Sequence, residues 1–185
     1  MSNPFSEYEY RKLGIRVNGE EAALTMECIG SVEETLGTKT VTKKCRGVVR
    51  KRTTKGTGTG KIKISGHWPY DIYTKVLAMD RTDLIDGVKA YGENSTHPKV
   101  CITADVFDED DVEKLKAWPK CTLSGDWTRK TTNGDEEVAE VELEFDFMPD
   151  DNGEGVYEAL VEGLNKTVAE KWMTSFERAL VIKTD

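Results

Sequence analysis

The sequence predicts a mainly β, α+β fold in one domain of 185 residues, and three observations lead to it. The stretch Val138 to Phe147, VAEVELEFDF, alternates Val141, Leu143, Phe145 and Phe147 with Glu140, Glu142, Glu144 and Asp146, which is the period of a strand with one apolar and one acidic face. Other short strand-like runs are separated by turn signals such as Asn18-Gly19 and Asn133-Gly134. Helical periodicity is confined to a few segments, and the length suits a single core.

In chain order, Leu13 to Val17 and Ala22 to Ile29 read as strands joined across Asn18-Gly19, with Ala22, Leu24 and Met26 on one face. Thr38 to Arg52 is threonine- and valine-rich and reads as extended. Thr53 to Gly60, TTKGTGTG, reads as a flexible turn before a strand from Lys61 to Ser65. Leu36 to Ser65 would thus be a long hairpin arm reaching roughly 40 Å. Too polar to pack wholly on its own subunit, it would order on a neighbour. Pro69 to Met79 has helical spacing, with Ile72, Tyr73, Val76 and Leu77 on one side. Lys99 to Phe107 is a strand. Asp108 is placed to cap an acidic helix from Glu109 to Ala117, with Val112, Leu115 and Trp118 inward. Cys121 to Arg129 and Val138 to Phe147 form a hairpin across Asn133-Gly134. Val156, Tyr157, Leu160, Val161, Leu164, Val168 and Trp172 repeat with helical period, interrupted at Gly163. Ala179 to Ile182 reads as a closing strand.

Composition excludes several classes of function. With 37% hydrophobic and 32% charged residues the chain is an ordinary globular protein, and no run is apolar and long enough to span a membrane. The N-terminal MSNPFSEYEYRKLG has no apolar signal core, which points to residence in a cytoplasm or release from one by lysis. Cys28, Cys45, Cys101 and Cys121 form no CxxC pair, so a zinc site is disfavoured and reduced, mostly buried thiols are expected. The sequons at Asn94 and Asn165 are then chance matches. GTGTGK fails as a phosphate loop because Lys55 stands where the first glycine belongs and a strand follows Lys61. His67 and His97 neighbour prolines and turns, and no nucleophile signature accompanies them. The acidic row contains paired carboxylates, as any acidic strand does, and lacks the turn of a calcium loop.

The formal charge of -8 conceals segregation. No acid occurs between Gly37 and Gly66, which carries Lys39, Lys43, Lys44, Arg46, Arg50, Lys51, Arg52, Lys55, Lys61 and Lys63, and no base occurs between Asp135 and Glu162. Blocks of this kind suit identical subunits meeting head to tail. The acidic face must be wet, because burying unpaired carboxylates costs several kcal/mol per ion. Neighbouring carboxylates, roughly 7 Å apart, repel by about 0.6 kcal/mol even in water. A plain solvated face explains the row. So does a surface built to repel a polyanion, lining a channel for nucleic acid when copied around a ring. The basic arm alone would support a nonspecific nucleic-acid-binding module, although it has no aromatic residue to stack on bases.

KIKISGHWPYDIYTKVLAMD from Lys61, VKAYGENS from Val88, VEKLKAWPKCTLSGD from Val112 and EEVAEVELEFDFMPDDNGEGVYEALVEGL from Glu136 together resemble the major tail proteins, or tail tube proteins, of long-tailed bacteriophages and prophages of Gram-positive bacteria. Met1 to Gly60 matches in general character alone. The resemblance implies a ring-forming β-sandwich or half-barrel with flanking helices, six copies closing an inner barrel and rings stacking into a hollow tube. It implies no catalytic residue and no cofactor. Its implied partners are other copies of the chain, a tape-measure protein, tail terminator or initiator proteins and phage DNA in transit, with no membrane contact, and its implied location is the virion tail. On this reading Glu140, Glu142, Glu144 and Asp146 line the lumen. Lys39, Lys43, Lys44, Arg46, Arg50, Lys51, Arg52 and Lys55 form an inter-subunit arm.

Overall fold

The computed structural model describes residues 4–183. Its strands are β1 (Glu9–Val17), β2 (Leu24–Met26), β3 (Ile29–Cys45), β4 (Val48–Gly66), β5 (Lys99–Phe107), β6 (Glu113–Ser124), β7 (Val141–Phe147) and β8 (Tyr157–Leu160). Two helices accompany them, α1 (Tyr70–Val76) and α2 (Lys166–Ser175). The strands form one antiparallel sheet in the order β2-β1-β5-β6-β7-β4-β3, with β8 on the free side of β6. Among the described residues no helix is long and apolar enough to cross a membrane.

Alternation in β7 and β4 builds the inner face. Leu143, Phe145 and Phe147 pair with Ile64, Ile62 and Gly60, and all the apolar members of that set are buried. Curling of the sheet brings them against Leu13, Ile15, Val100, Ile102 and Trp118 of β1, β5 and β6, with α1 adding Ile72 and Val76. A second cluster lies on the opposite side of the β1-β5-β6-β8 half, where α2 sets Trp172 and Phe176 over Cys101, Leu115 and Ala117. Trp172 Nε1 donates to the Lys116 carbonyl at 3.0 Å, which fixes α2 on the sheet.

The strands at Lys99 to Phe107 and within Val138 to Phe147, the β1–β2 pairing and the helix after Pro69 are as expected. Other segments differ. The acidic helix at Glu109 to Ala117 is replaced by β6, because Asp108 caps a turn: its Oδ1 accepts from the backbone N–H of Asp110 (2.9 Å) and Val112 (2.8 Å). Lys116, a surface position on a helix, is buried in the strand. The helical period from Val156 divides into β8, a 3-10 turn at Val161–Gly163 and α2. The break falls where Asn165 Oδ1 caps α2 on the N–H of Thr167, and residues 157–160 pair with the open edge of β6 instead. Residues 179–182 form no strand, since Arg178–Leu180 is a 3-10 turn. β6 and β7 do pair, but residues 125–140 lie between them, so Val138 and Glu140 stand outside the strand. Likewise a longer link separates β1 from β2, and Ala22 does not share the face of Leu24 and Met26. Two cysteines, Cys101 and Cys121, are buried as expected, whereas Cys28 and Cys45 are exposed.

Candidate functional site

On β7, Glu142, Glu144 and Asp146 share the outer face, and Glu140 joins them from the segment before the strand by accepting from Ser65 Oγ at 2.9 Å. The structure therefore brings the four acids together on one surface. It also adds partners that the strand's own sequence does not reveal. The register sets Lys61 opposite Asp146, Lys63 opposite Glu144 and Ser65 opposite Glu142. Lys61 Nζ lies 2.5 Å from Glu144 and 3.7 Å from Asp146, and Lys63 lies 3.6 Å from Glu144. The hydrogen bond from Lys61 holds the Glu144 carboxyl below its ordinary pKa and raises that of Lys61 in return. Half of the row is thereby locally neutralised, while Glu140 and Glu142 meet no cation within ion-pair distance among the described residues. These exposed cross-strand pairs contribute little stability each.

The arm is a two-stranded ribbon formed by the outer parts of β3 and β4. Its tip is the two-residue turn Arg46-Gly47, with φ of 51° and 78°, the type I′ geometry that follows the twist of a hairpin. TTKGTGTG is thus no tip: Thr53 to Gly60 lies within β4, and Thr57 to Thr59 form a bulge at the root. Gly58 there has φ 69°, and a Cβ on Gly60 would come within 2.0 Å of the Thr35 carbonyl oxygen. The glycines therefore let the ribbon leave the sheet where backbones cross closely. β7 pairs with β4 over Gly60 to Gly66 alone, so the ribbon beyond has no third strand and reaches outward roughly 30 Å.

One ribbon face carries Lys39 opposite Lys55 and Lys43 opposite Lys51, with Val41 opposite Thr53 between them. Like charges directly across a ladder repel. Among the described residues no arm cation lies within ion-pair distance of a carboxylate. The eight predicted arm residues are all on this exposed ribbon, but they do not share one face: Lys44, Arg46, Arg50 and Arg52 lie at the tip or on the other side.

At the inner end of the ribbon the charge pattern reverses. Lys116 Nζ is buried and donates to Glu34 on β3, and it lies 3.0 Å from Glu7 and 3.2 Å from Glu158. Trp118 Nε1 donates to the other oxygen of Glu34 at 2.8 Å. Burial opposes the charge on Lys116, yet its hydrogen bonds to Glu34 and Glu7 outweigh that and raise its pKa. For Glu7, too, burial opposes the charged form. Hydrogen bonds from Lys114, Tyr10 and Lys116 win, bringing its pKa down to about 2. The cluster ties the N-terminal segment, the arm root and β8 to β6. Sequence reasoning missed it, because the partners are distant in the chain and Lys116 resembled a helix surface residue.

Residues 125–140 make a third feature. Arg129 stacks 3.8 Å over the Trp127 ring and 5.0 Å over Tyr73. Trp127 Nε1 is buried and has no acceptor among the described residues. A hollow of about 220 Å³ lies between this segment and Trp68, Tyr73 and Leu143, with Val138 on its lining although that side chain is 75% exposed.

The fold is thus a curled antiparallel sheet with an outer helix and a long projecting ribbon. No protein-family model matches the chain, and no curated protein does. Among solved structures, the anti-feeding prophage cap (AFP tube terminating cap) superposes with a TM-score of 0.50 at 10% identity, over 87% of this chain and 95% of that one. A chain of the AFP baseplate gives 0.48 at 10% identity over 88% and 99%. One from the PVC sheath-tube complex of an extracellular contractile injection system gives 0.49 at 14% identity over 84% and 93%.

Proposed function

We propose that the chain is a structural subunit of a phage tail tube, polymerising as stacked hexameric rings around a lumen that conducts the genome into the host. The observation that carries this reading is the fold shared with the tube terminating cap over most of both chains. The wet β7–β4 face supports it: acids outnumber the two lysines, so Glu140, Glu142, Glu144 and Asp146 lining a lumen would present DNA with a weakly repelling wall. The ribbon supports it as well, because a two-stranded hairpin without a third strand is marginal alone and gains order on a neighbouring ring. The chain acts without catalysis, in a virion tail, with a tape-measure protein and terminator or initiator proteins as its other partners.

Negative-stain images of purified protein test the reading: rings or hollow tubes are expected, and monomers at every concentration and salt would overturn it. The lysine face of the ribbon favours a second reading, nonspecific nucleic-acid binding. That reading predicts retardation of any duplex DNA at low salt, with affinity falling steeply as salt rises. Ribbon contacts in a tube are charged and exposed, so stacking should weaken near 1 M salt, where the screening length is about 3 Å, before the subunit unfolds.

A further inference from the structure

We infer that the lysine face of the ribbon seats on residues 136–140 of a second copy of this chain, with Val41 against Val138. The partner's being a second copy rests on the tube reading. The pairing itself rests on what each surface lacks. Lys39, Lys43, Lys51 and Lys55 surround Val41, which is 59% exposed, and among the described residues no carboxylate lies within ion-pair distance of them. Glu136 and Glu137 precede Val138 and Glu140 follows it, and among the described residues no cation pairs with any of the three.

The composition agrees as well as the charge: Val41 stands between Lys39 and Lys43, and Val138 stands between Glu136 and Glu137 before it and Glu140 after it. An apolar side chain at the centre of each patch allows burial of both valines once the rim charges meet. Other acidic segments fit less well. Asp111 is held by Arg11, Asp151 by Lys120, and Asp80 and Asp83 by Lys89 and Arg81. In the 136–140 segment the body is also unfinished, since the hollow beside Val138 stays open and Trp127 Nε1 nearby has no acceptor among the described residues. A docked ribbon would close that side.

Disulfide trapping in the full chain tests this. On a Cys28→Ser/Cys45→Ser background, Val41→Cys and Val138→Cys are combined and mildly oxidised at high protein concentration. Joining position 41 of one copy to 138 of the next should give a ladder of covalent oligomers on a denaturing gel, while either single variant stops at dimers. Circular dichroism matching the wild type verifies folding. A ladder with tubes in the micrographs supports both the docking and the tube. Tubes without a ladder overturn the docking and leave the tube standing, and a ladder without tubes does the reverse. Absence of both the ladder and the tubes would overturn the docking and the tube together. As a second arm, Lys43→Glu/Lys51→Glu and Glu136→Lys/Glu137→Lys should each cut the sedimenting fraction at least about tenfold, and combining them should restore it. Failure of the combination to recover, with each variant folded, counts against the pairing.

Discussion

Lys116 and Lys43 sit on strands of the same sheet and live in opposite surroundings. The ammonium of Lys116 is shut away from water and met by carboxylates from the N-terminal segment, the arm root and β8. That of Lys43 stands across from Lys51 on an exposed ribbon, and among the described residues no carboxylate lies within ion-pair distance of it. The difference follows from the solvent. Inside the body an unpaired ion costs several kcal/mol, so its partners must come from the same chain. On the ribbon, water screens the repulsion cheaply, and the unpaired charge stays available to another molecule. The body pairs the cation that it buries, and the ribbon leaves its cations in water.

The strongest way to break this comparison is Lys116→Met. Removing the ammonium strands Glu7, Glu34 and Glu158 around an apolar side chain, and urea unfolding should show a loss of about 3–5 kcal/mol. A loss no larger than that of a surface substitution would mean that the cluster is solvated and the contrast with the ribbon false.

Asp105 is an exception within the body and sharpens the rule. Its Oδ1 is buried without a hydrogen-bond partner, and burial together with neighbouring Glu113 moves its pKa from 3.8 up to about 6, against opposing pulls from Lys12 and Arg11. The folded protein therefore holds that proton more tightly than the unfolded chain. This stabilisation is complete below about pH 4 and is lost as pH rises through about 6. Asp105→Asn should remove that slope and raise stability at pH 8 by about 1 kcal/mol, allowing for partial screening by solvent. Glu7 has the opposite sign: its contribution is present above about pH 4.5 and is lost as pH falls towards about 2. Thermal unfolding of the wild type and of Asp105→Asn from pH 2 to 8 checks the two directions.

Deleting Lys39 to Lys55 should alter the unfolding free energy of the body by less than about 1 kcal/mol, since nearly every deleted side chain is exposed, and yet abolish assembly. Loss of cooperative unfolding would place the ribbon in the core. The smallest effect on stability, within about 0.5 kcal/mol, belongs to Glu142→Lys, which leaves the apolar face of β7 untouched. If that face lines a lumen, tails carrying the substitution should assemble and release DNA slowly, with partial rescue by salt. Glu144→Lys is the less clean probe, because it would crowd Lys61 and Lys63.

Where a segment's burial follows its own period, the sequence was legible. β7 and the inner part of β4 have alternating faces, β5 is a run of small and β-branched residues buried on both faces, and α1 follows its proline. Reading failed where spacing served two structures equally. Val112, Leu115 and Trp118 suit a helix turn, and β6 took the segment because both of its faces are covered, one by the core and the other by α2. TTKGTGTG was legible as glycine-dependent backbone, but whether those glycines formed a tip or a root depended on where β7 stops pairing with β4.

Local chemistry in the sequence determined the alternating acidic strand, the acid-free hairpin and the absence of a long apolar span, since each depends on residues close together in the chain. The tertiary structure alone decided that Lys61 and Lys63 half neutralise the acidic row, that Lys116 is an interior ion with partners as far away as Glu7, and that the ribbon's lysines meet no carboxylate among the described residues. Those facts depend on strand register and sheet curvature, which bring together residues separated by about a hundred positions and which no local period encodes.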